Sequence, residues 1–472
     1  MSDEPRDWRD ERIAELEAEN AELRRLLREA LERIAELERQ LGMNSRNSSK
    51  PPSSDNERVR KKRRRRRKSG RSPGGQKGHE GHFRRLLPVE QLDHVIAHHP
   101  THCEECGLEL SPDDAVGRPT RHQVSEVVPN LIETTEHRRF ACQCPGCGET
   151  TRASGAQVPK SGWGPRLTAL VATLSTVTRD SRRQVAWIVS EVFDAPSSTG
   201  TVQTHLEEVS EALVPGFEQV PSAVAQAPVV GLDETGWRLG NLPHWVWVAE
   251  SGQAVLYQIE ARRKKEVAQR LVGEPGRRIF TTDRYGAYNF LPAEQRQICH
   301  AHLLREFTAM AARDGPIGSI GTKLATLSRE MQDQWRKVKA EEMTRSEFVD
   351  QVRREVRPEW ERLLKSAKRH GKKAPPIVRW LLDDDHIGLA WTFLDHPGVE
   401  PTNNSAERAL RGPVIQRKLS WGSKSQTGLR LMERLWTTAE TCRRQTRSVL
   451  EYITQAVQAF RNDAPAPILR PV

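Results

Sequence analysis

From Ile13 the apolar positions step by three and four, through Leu16, Leu23, Leu27, Ala30, Ile34 and Leu37 to Leu41, and Asn20 is the polar residue in the series. With Ile13 at heptad position a, the a series reads Ile, Asn, Leu, Ile, Leu and the d series reads Leu, Leu, Ala, Leu, while Glu and Arg fill the flanks. This pattern predicts a coiled-coil helix over residues 1–43. A single Asn at a favours a parallel two-stranded pairing, because each Asn bonds its mate only in register. The alternative is a long helix lying on its own chain, for which the charged faces leave little apolar surface. The stretch GMNSRNSSKPPSSDN that follows has no apolar period and reads as linker.

A helical period returns from Pro165, with Leu167, Leu170, Val171 and Leu174 on one face. The segment RRQVAWIVSEVFDAPSSTGTVQTHLEEV has helix-turn-helix proportions that would set Thr201 to His205 in a DNA groove, although two packed core helices look the same. After the gap PSAVAQAP the period shortens to that of strands. VVGLD ends on Asp233, HWVWVAES and AVLYQIE follow, then a helix around KKEVAQRLV, then RRIFTTD ending on Asp283, then QICHAH leading into a helix. That order fits a ribonuclease-H-like α/β layer with Asp233 and Asp283 at matching ends of adjacent strands, where two carboxylates can share a cation.

Charge divides the chain further. Its 472 residues carry a formal +11, yet between Arg58 and Arg85 fourteen basic residues face one acid, Glu80, an excess of +13 that leaves the remainder near −2. The run holds Arg63, Arg64, Arg65, Arg66 and Arg67 in succession, with Arg71 and Lys77 among glycines beyond it. Like charges at that density repel, so residues 44–87 should be disordered until a polyanion neutralises them, and DNA is the polyanion expected. The hydrophobic fraction of 36% is below the ~45–50% usual for globular chains. No apolar run approaches the ~18 residues of a membrane helix, and the charged start is unlike a signal peptide, so a soluble intracellular protein is expected.

Seven cysteines are too few for a disulfide scaffold, and five lie between Cys103 and Cys147. Cys103, Cys106, Cys144 and Cys147 form two C-x2-C-G knuckles, each able to turn two thiolates toward one tetrahedral ion. They predict a structural zinc module over residues 88–155. The 37 residues between Cys106 and Cys144 predict a β-rich insertion, and Cys142, His98, His99 and His102 are alternative ligands. A third carboxylate is needed for two cations, and Glu407 in PTNNSAERALRGPVIQRKLSWGS is the candidate. Thr402 or Asn403 can cap a helix there, and Arg408, Arg411 and Lys418 would hold DNA phosphates.

The leucine-rich helix, NSSKPPSSD, GGQKGH, the two Cys knuckles, LDETGW, TDRYGAY, CHAHLLREF and NNSAERALR follow one another through nearly the whole chain. In that order they resemble the insertion sequence 66 family of bacterial DDE transposases. The resemblance implies that Asp233, Asp283 and Glu407 are the DDE triad, holding two Mg2+ or Mn2+ ions, and that about 303–395 is a helical insertion in a catalytic domain spanning 226–425. Residues 156–225 would then be a helical DNA-binding or connecting region and 426–472 a C-terminal helical region. Cys299 and His302 match a C-x2-H element of such enzymes and are expected to pack beneath the site. The expected activity is cleavage and transfer of DNA strands at transposon ends, in a homodimer or larger synaptic complex, with small accessory proteins and a nucleoid-associated cytoplasmic location. The rivals are a silent DNA-binding regulator and a metal-dependent DNA nuclease.

Overall fold

The computed structural model describes residues 8–41, 86–102, 104–117, 119–125, 131–138, 140–143, 145, 147, 150–152, 161–382 and 386–471. The chain divides into two units, Lys61–Thr135 and the remainder. The smaller unit is held by polar contacts. The Leu87 backbone donates to Gln123 Oε1 (2.9 Å) and its carbonyl accepts from Gln123 Nε2 and Arg121 Nη2. His102 and Glu109 form an isolated bridge, and none of the unit's described residues is buried.

The larger unit opens with α1 (Trp8–Leu41), a 34-residue helix on which Ile13, Leu16, Leu23, Leu27, Ile34, Leu37 and Leu41 are all exposed. Among the described residues the heptad seam is therefore left open. Strands β1 (Ala141–Gln143) and β2 (Thr150–Arg152) pair antiparallel. No further strand lies between Cys106 and Cys144 among the described residues, so little of the β structure expected there appears.

Four helices follow: α2 (Pro165–Thr173), α3 (Arg182–Phe193), α4 (Thr199–Ala212) and α5 (Val214–Gln226). Ser181 and Ser198 cap α3 and α4. In α4 Val202 and His205 are buried, and the His205 ring stacks on Trp163 with centroids 4.5 Å apart. His205 is thus part of the packing and is not available to a DNA groove, which corrects that part of the helix-turn-helix expectation.

A five-stranded sheet comes next, in the order β5-β4-β3-β6-β7, from β3 (Val229–Leu239), β4 (Leu242–Glu250), β5 (Val255–Glu260), β6 (Ile279–Thr282) and β7 (Arg296–Ile298). The β3-β4 and β4-β5 pairs are antiparallel, whereas β6 and β7 run parallel to β3. Helix α6 (Lys265–Val272) lies between β5 and β6 in the chain. Alternate residues face opposite sides, as the pleat requires. Val230, Leu232, Trp247, Ala249 and Leu256 enter a core shared with α2 to α5, whereas Trp237, Val246, Val248, Tyr257 and Ile259 enter a second core on the other face.

Beyond β7 the chain is helical through α7 (His300–Ala311), α8 (Gly315–Lys339), α9 (Arg345–Gln351), α10 (Arg357–Lys368) and α11 (Pro376–Leu382). These enclose an aromatic core of Phe307, Phe348, Trp360, Trp391 and Phe393. The chain then returns to the sheet through α12 (Asn404–Ala409), α13 (Arg411–Ser420), α14 (Gln426–Arg444) and α15 (Val449–Arg461). No described helix is long and apolar enough to cross a membrane.

Helix α14 protects the edge strand β5. The β5 amides of Val255, Tyr257 and Ile259 donate to Thr441 Oγ1 (3.1 Å), Thr437 Oγ1 (3.1 Å) and Glu433 Oε1 (2.5 Å). Two strand residues advance about 6.7 Å and four helix residues about 6 Å, so three side chains at i, i+4 and i+8 can match alternate amides. An edge that would otherwise template pairing with another chain is closed by side-chain oxygens.

Candidate active site

Three acidic residues from distant parts of the sequence come together at the end of the parallel strands. Strand β3 pairs with β6 as Val229↔Ile279, Val230↔Phe280 and Gly231↔Thr281, and the same offset carries Asp233 opposite Asp283. Asp283 directly follows β6 and its Oδ1 accepts the Tyr285 amide (2.8 Å). Asp233 lies inside β3, which runs on to Leu239 because residues 233–239 pair with β4. This corrects the expectation of a strand ending on Asp233, whose Oδ1 accepts the Glu234 amide (2.9 Å). Buried Arg296 fixes the turn after β6 by donating to Thr282 Oγ1 (3.0 Å) and the Asp283 carbonyl (3.1 Å).

Glu407 arrives on α12, which docks on β3. Asn403 Nδ2 donates to the Leu232 carbonyl (2.7 Å), and the Asn403 amide donates to Cys299 Sγ (3.1 Å). Asn403 was expected as a helix cap; it sits at the cap position, but its side chain makes no capping bond and instead ties α12 to the sheet. The approach is close enough that a Cβ on Gly231 would lie 2.8 Å from Asn403 Oδ1. Glycine at that point is therefore a packing requirement.

The pleat separates Asp233 from its neighbour. Asp233 shares the face of Trp237, toward α12, while Glu234 shares the face of Leu232. There the Glu234 side chain is fully buried, bonded by Arg263 Nε (2.9 Å) and by the Tyr288 hydroxyl. Arg263 in turn stacks 3.8 Å over the Tyr285 ring. The fourth carboxylate is thus paired and held on the far side of the strand.

The cluster is electrostatically unfavourable without a counter-ion. Desolvation, then Glu234, Asp283 and Glu407, push the Asp233 carboxyl well above its ordinary range. Glu407 is also raised, chiefly by desolvation, against the lowering effect of Arg305, Cys299 and Arg411. Its Oε1 lies 3.8 Å from Cys299 Sγ, 3.5 Å from His302 Nδ1 and 3.7 Å from Arg305 Nη2. Burial and then Glu407 push the Cys299 thiol up to about 12, and burial, with Arg305 and Arg284, holds His302 down to about 3. His302 Nδ1 has no hydrogen-bond partner although it is buried. Cys299, His302 and Glu407 are together a set of atoms that one ion can bridge. His302 thus faces Glu407, where the sequence had only a residue packing beneath the site.

Among the basic residues, Arg408 and Lys418 are exposed and Arg411 lies within electrostatic reach of Glu407. Arg417, overlooked in the sequence, donates to the Gly236 carbonyl and Thr235 Oγ1, bracing α13 on β3. Cys106 and Cys147 are exposed thiols. Cys103 and Cys144, and Arg63, Arg64, Arg65, Arg66, Arg67, Arg71 and Lys77, lie outside the described residues.

Comparison with known proteins supplies the frame for this geometry. A family described as "Family of unknown function (DUF6444)" matches residues 3–85. An uncharacterized protein, y4hP, of Sinorhizobium fredii is 26% identical over 422 residues, covering 76% of this chain and 72% of its own. The family described as "Transposase IS66 family" matches residues 160–431, well over half of the chain and the whole of the carboxylate site. The chain belongs to the IS66 family of transposases.

Proposed function

We propose that this transposase cuts and joins DNA strands at the ends of an insertion sequence, using Asp233, Asp283 and Glu407 as the catalytic carboxylates of a ribonuclease-H-like core. The observation that carries the reading is the convergence of three acids from β3, the end of β6 and α12 on one point of a mixed sheet. The strand order, three antiparallel strands followed by two parallel ones, supports it.

The donor set fits Mg2+ or Mn2+: carboxylate oxygens are hard ligands, and the mutual repulsion that raises Asp233 is what a divalent cation relieves. Two such ions, when bound, supply a low-pKa water and charge stabilisation at the attacked phosphorus. The protein's own residues do the rest. Arg263 and Tyr288 hold the Glu234 side chain on the opposite face of β3, from which its charge still bears on Asp233. Arg305 lies 3.7 Å from Glu407 Oε1, and the His302 ring stands beside the same oxygen at 3.5 Å. Arg408, Arg411 and Lys418 would grip phosphates. Hydrolysis and strand transfer are both in-line displacements, by water and then by the freed 3′ hydroxyl, so one positioned cluster serves both.

In this reading α1 pairs two chains, and the basic segment with Arg63 to Arg67, Arg71 and Lys77 grips DNA. Cys103, Cys106, Cys144 and Cys147 hold a structural zinc. None of the smaller unit's described residues is buried, which supports a metal-dependent module. Small accessory proteins would complete the complex.

The test is a cleavage and strand-transfer assay with Mg2+ or Mn2+ on DNA carrying the ends that flank the gene. Wild type is expected to cut and join, whereas Asp233→Ala, Asp283→Ala and Glu407→Gln fall to background. Equal activity in all four proteins overturns the triad, and cleavage without joining favours a nuclease.

A further inference from the structure

Helix α13 starts beside the carboxylates, at Arg411, and carries an unusual outer face. Arg411, Ile415, Lys418 and Leu419 fall at i, i+4, i+7 and i+8, so they share one side of the helix, and all four are exposed. Trp421 follows at the C-terminal end and is 77% exposed, more than Leu419 at 62%. A ridge that mixes basic and large apolar side chains in this way is unlike an ordinary solvated helix face, on which an exposed Trp finds no water-compatible partner for its ring.

The backbone holds Trp421 there. Its φ of 61° and ψ of 12° are left-handed, a conformation usually left to Gly or Asn at a helix end. The next residue, Gly422, cannot take a side chain, since a Cβ would lie 2.4 Å from the Arg238 carbonyl oxygen. The Ser423 amide donates to that carbonyl (2.9 Å) and the Gly240 amide donates to the Ser423 carbonyl (2.8 Å). The Trp237 indole donates to Ser423 Oγ (3.3 Å). The segment is thus pinned to the β3-β4 turn on one side while the Trp421 ring points to solvent on the other.

We infer that the outer face of α13 and Trp421 form a stacking platform for an unpaired DNA base, with Arg411 and Lys418 on the phosphates of the same strand; this rests on the carboxylate cluster being the strand-transfer site. The helix spans about 15 Å, roughly four stacked base steps, so a strand whose scissile phosphate lies at Glu407 reaches Trp421 within a few nucleotides. The alternation of charge and ring is that of single-strand binders, in which cations follow the backbone and aromatic faces take bases of any sequence. A second copy of the chain is a poorer occupant, since Arg411, Lys418, Arg408 and Lys424 would meet their own like charges.

The test uses the full chain, with an oligo(dT) 20-mer and a blunt 20-base-pair duplex of mixed sequence as probes, read by anisotropy over a range of salt. Trp421→Ala is expected to weaken oligo(dT) binding about five- to a hundredfold, persisting at high salt, with duplex affinity changed less than about twofold. Trp421→Phe should restore most of the loss. With 5-iododeoxyuridine in the strand, photo-cross-linking should place the adduct on Trp421. Unchanged oligo(dT) binding in Trp421→Ala, equal loss for both probes, or a change in oligomeric state with DNA binding intact overturns the platform. Arg411→Glu with Lys418→Glu separates the two levels. If the charge reversal weakens binding while Trp421→Ala does not, the platform fails and the DNA-handling reading stands. If neither matters and no cleavage is seen, both fail.

Discussion

At the scale of single residues, the site is a balance of repulsion that the fold tolerates for function. A carboxyl whose pKa folding has raised opposes folding once it is ionised in the unfolded chain. The Asp233 contribution to metal-free stability should therefore be greatest at low pH. It should be lost as pH rises from the ordinary carboxylate range, where the group ionises in the unfolded chain, to the raised pH at which it ionises in the fold among Glu234, Asp283 and Glu407. Replacing Asp233 by Asn keeps the shape and removes one charge. In EDTA at neutral pH, calorimetry should show Asp233→Asn unfolding on the order of a few degrees above wild type, with the gap closing on acidification. Adding Mn2+ should raise the wild-type midpoint and leave the variant's nearly unmoved. A variant less stable than wild type in EDTA would mean that the repulsion is already relieved by neighbours. The place of Asp283 just past β6 was legible because the hydrophobic run ends there, whereas β3 continues past Asp233 to Leu239 through pairing with β4 that the run VVGLD does not signal. Glu234 was not separable from Asp233 until the pleat put them on opposite faces, and Arg263, Tyr288 and Arg296, which make the arrangement tenable, carry no local signal: each acts on a residue 13 to 54 positions away.

At the scale of elements, the least legible feature is the way α14 closes β5. Its apolar positions predict a packed helix, yet Glu433, Thr437 and Thr441 are buried polar residues that the hydrophobic period alone would assign to solvent. Their partners are backbone amides of a strand more than 170 residues earlier, so no pattern within either segment identifies them. Thr437→Val keeps the volume and deletes the acceptor, leaving the Tyr257 amide buried and unpaired. Denaturant unfolding should show a loss of about 1–3 kcal/mol, against a few tenths for Thr427→Val on the exposed first turn of the same helix. If the two substitutions cost the same, the edge is satisfied by water and not by the helix. The strands themselves were readable because their β-branched and aromatic alternation is local, and so was the helical stretch after His300. Of the β-rich insertion expected between Cys106 and Cys144, the described residues show the short strand β1.

At the scale of the whole molecule, opposite charges are given to opposite tasks. The excess of +13 is confined in sequence to Arg58 through Arg85, while in the proposed function the chemistry rests on three acids that the formal +11 conceals. Two functions so divided should be separable by one deletion. Removing residues 58–85 takes away fourteen basic side chains. If half of them neutralise phosphates, the slope of log affinity against log salt should flatten by about 6 for duplex DNA. The Mn2+-dependent rise in unfolding temperature depends on Asp233, Asp283 and Glu407 and should not change. Affinity at low salt should fall steeply, whereas any preference for the element's own ends over unrelated DNA should persist, because phosphate contacts supply grip and base contacts supply choice. An unaltered salt slope would place the grip on the body of the protein, along α13 with Arg408, Arg411 and Lys418. A lost metal response would show instead that the basic segment is needed to assemble the site, and the two tasks would then be coupled.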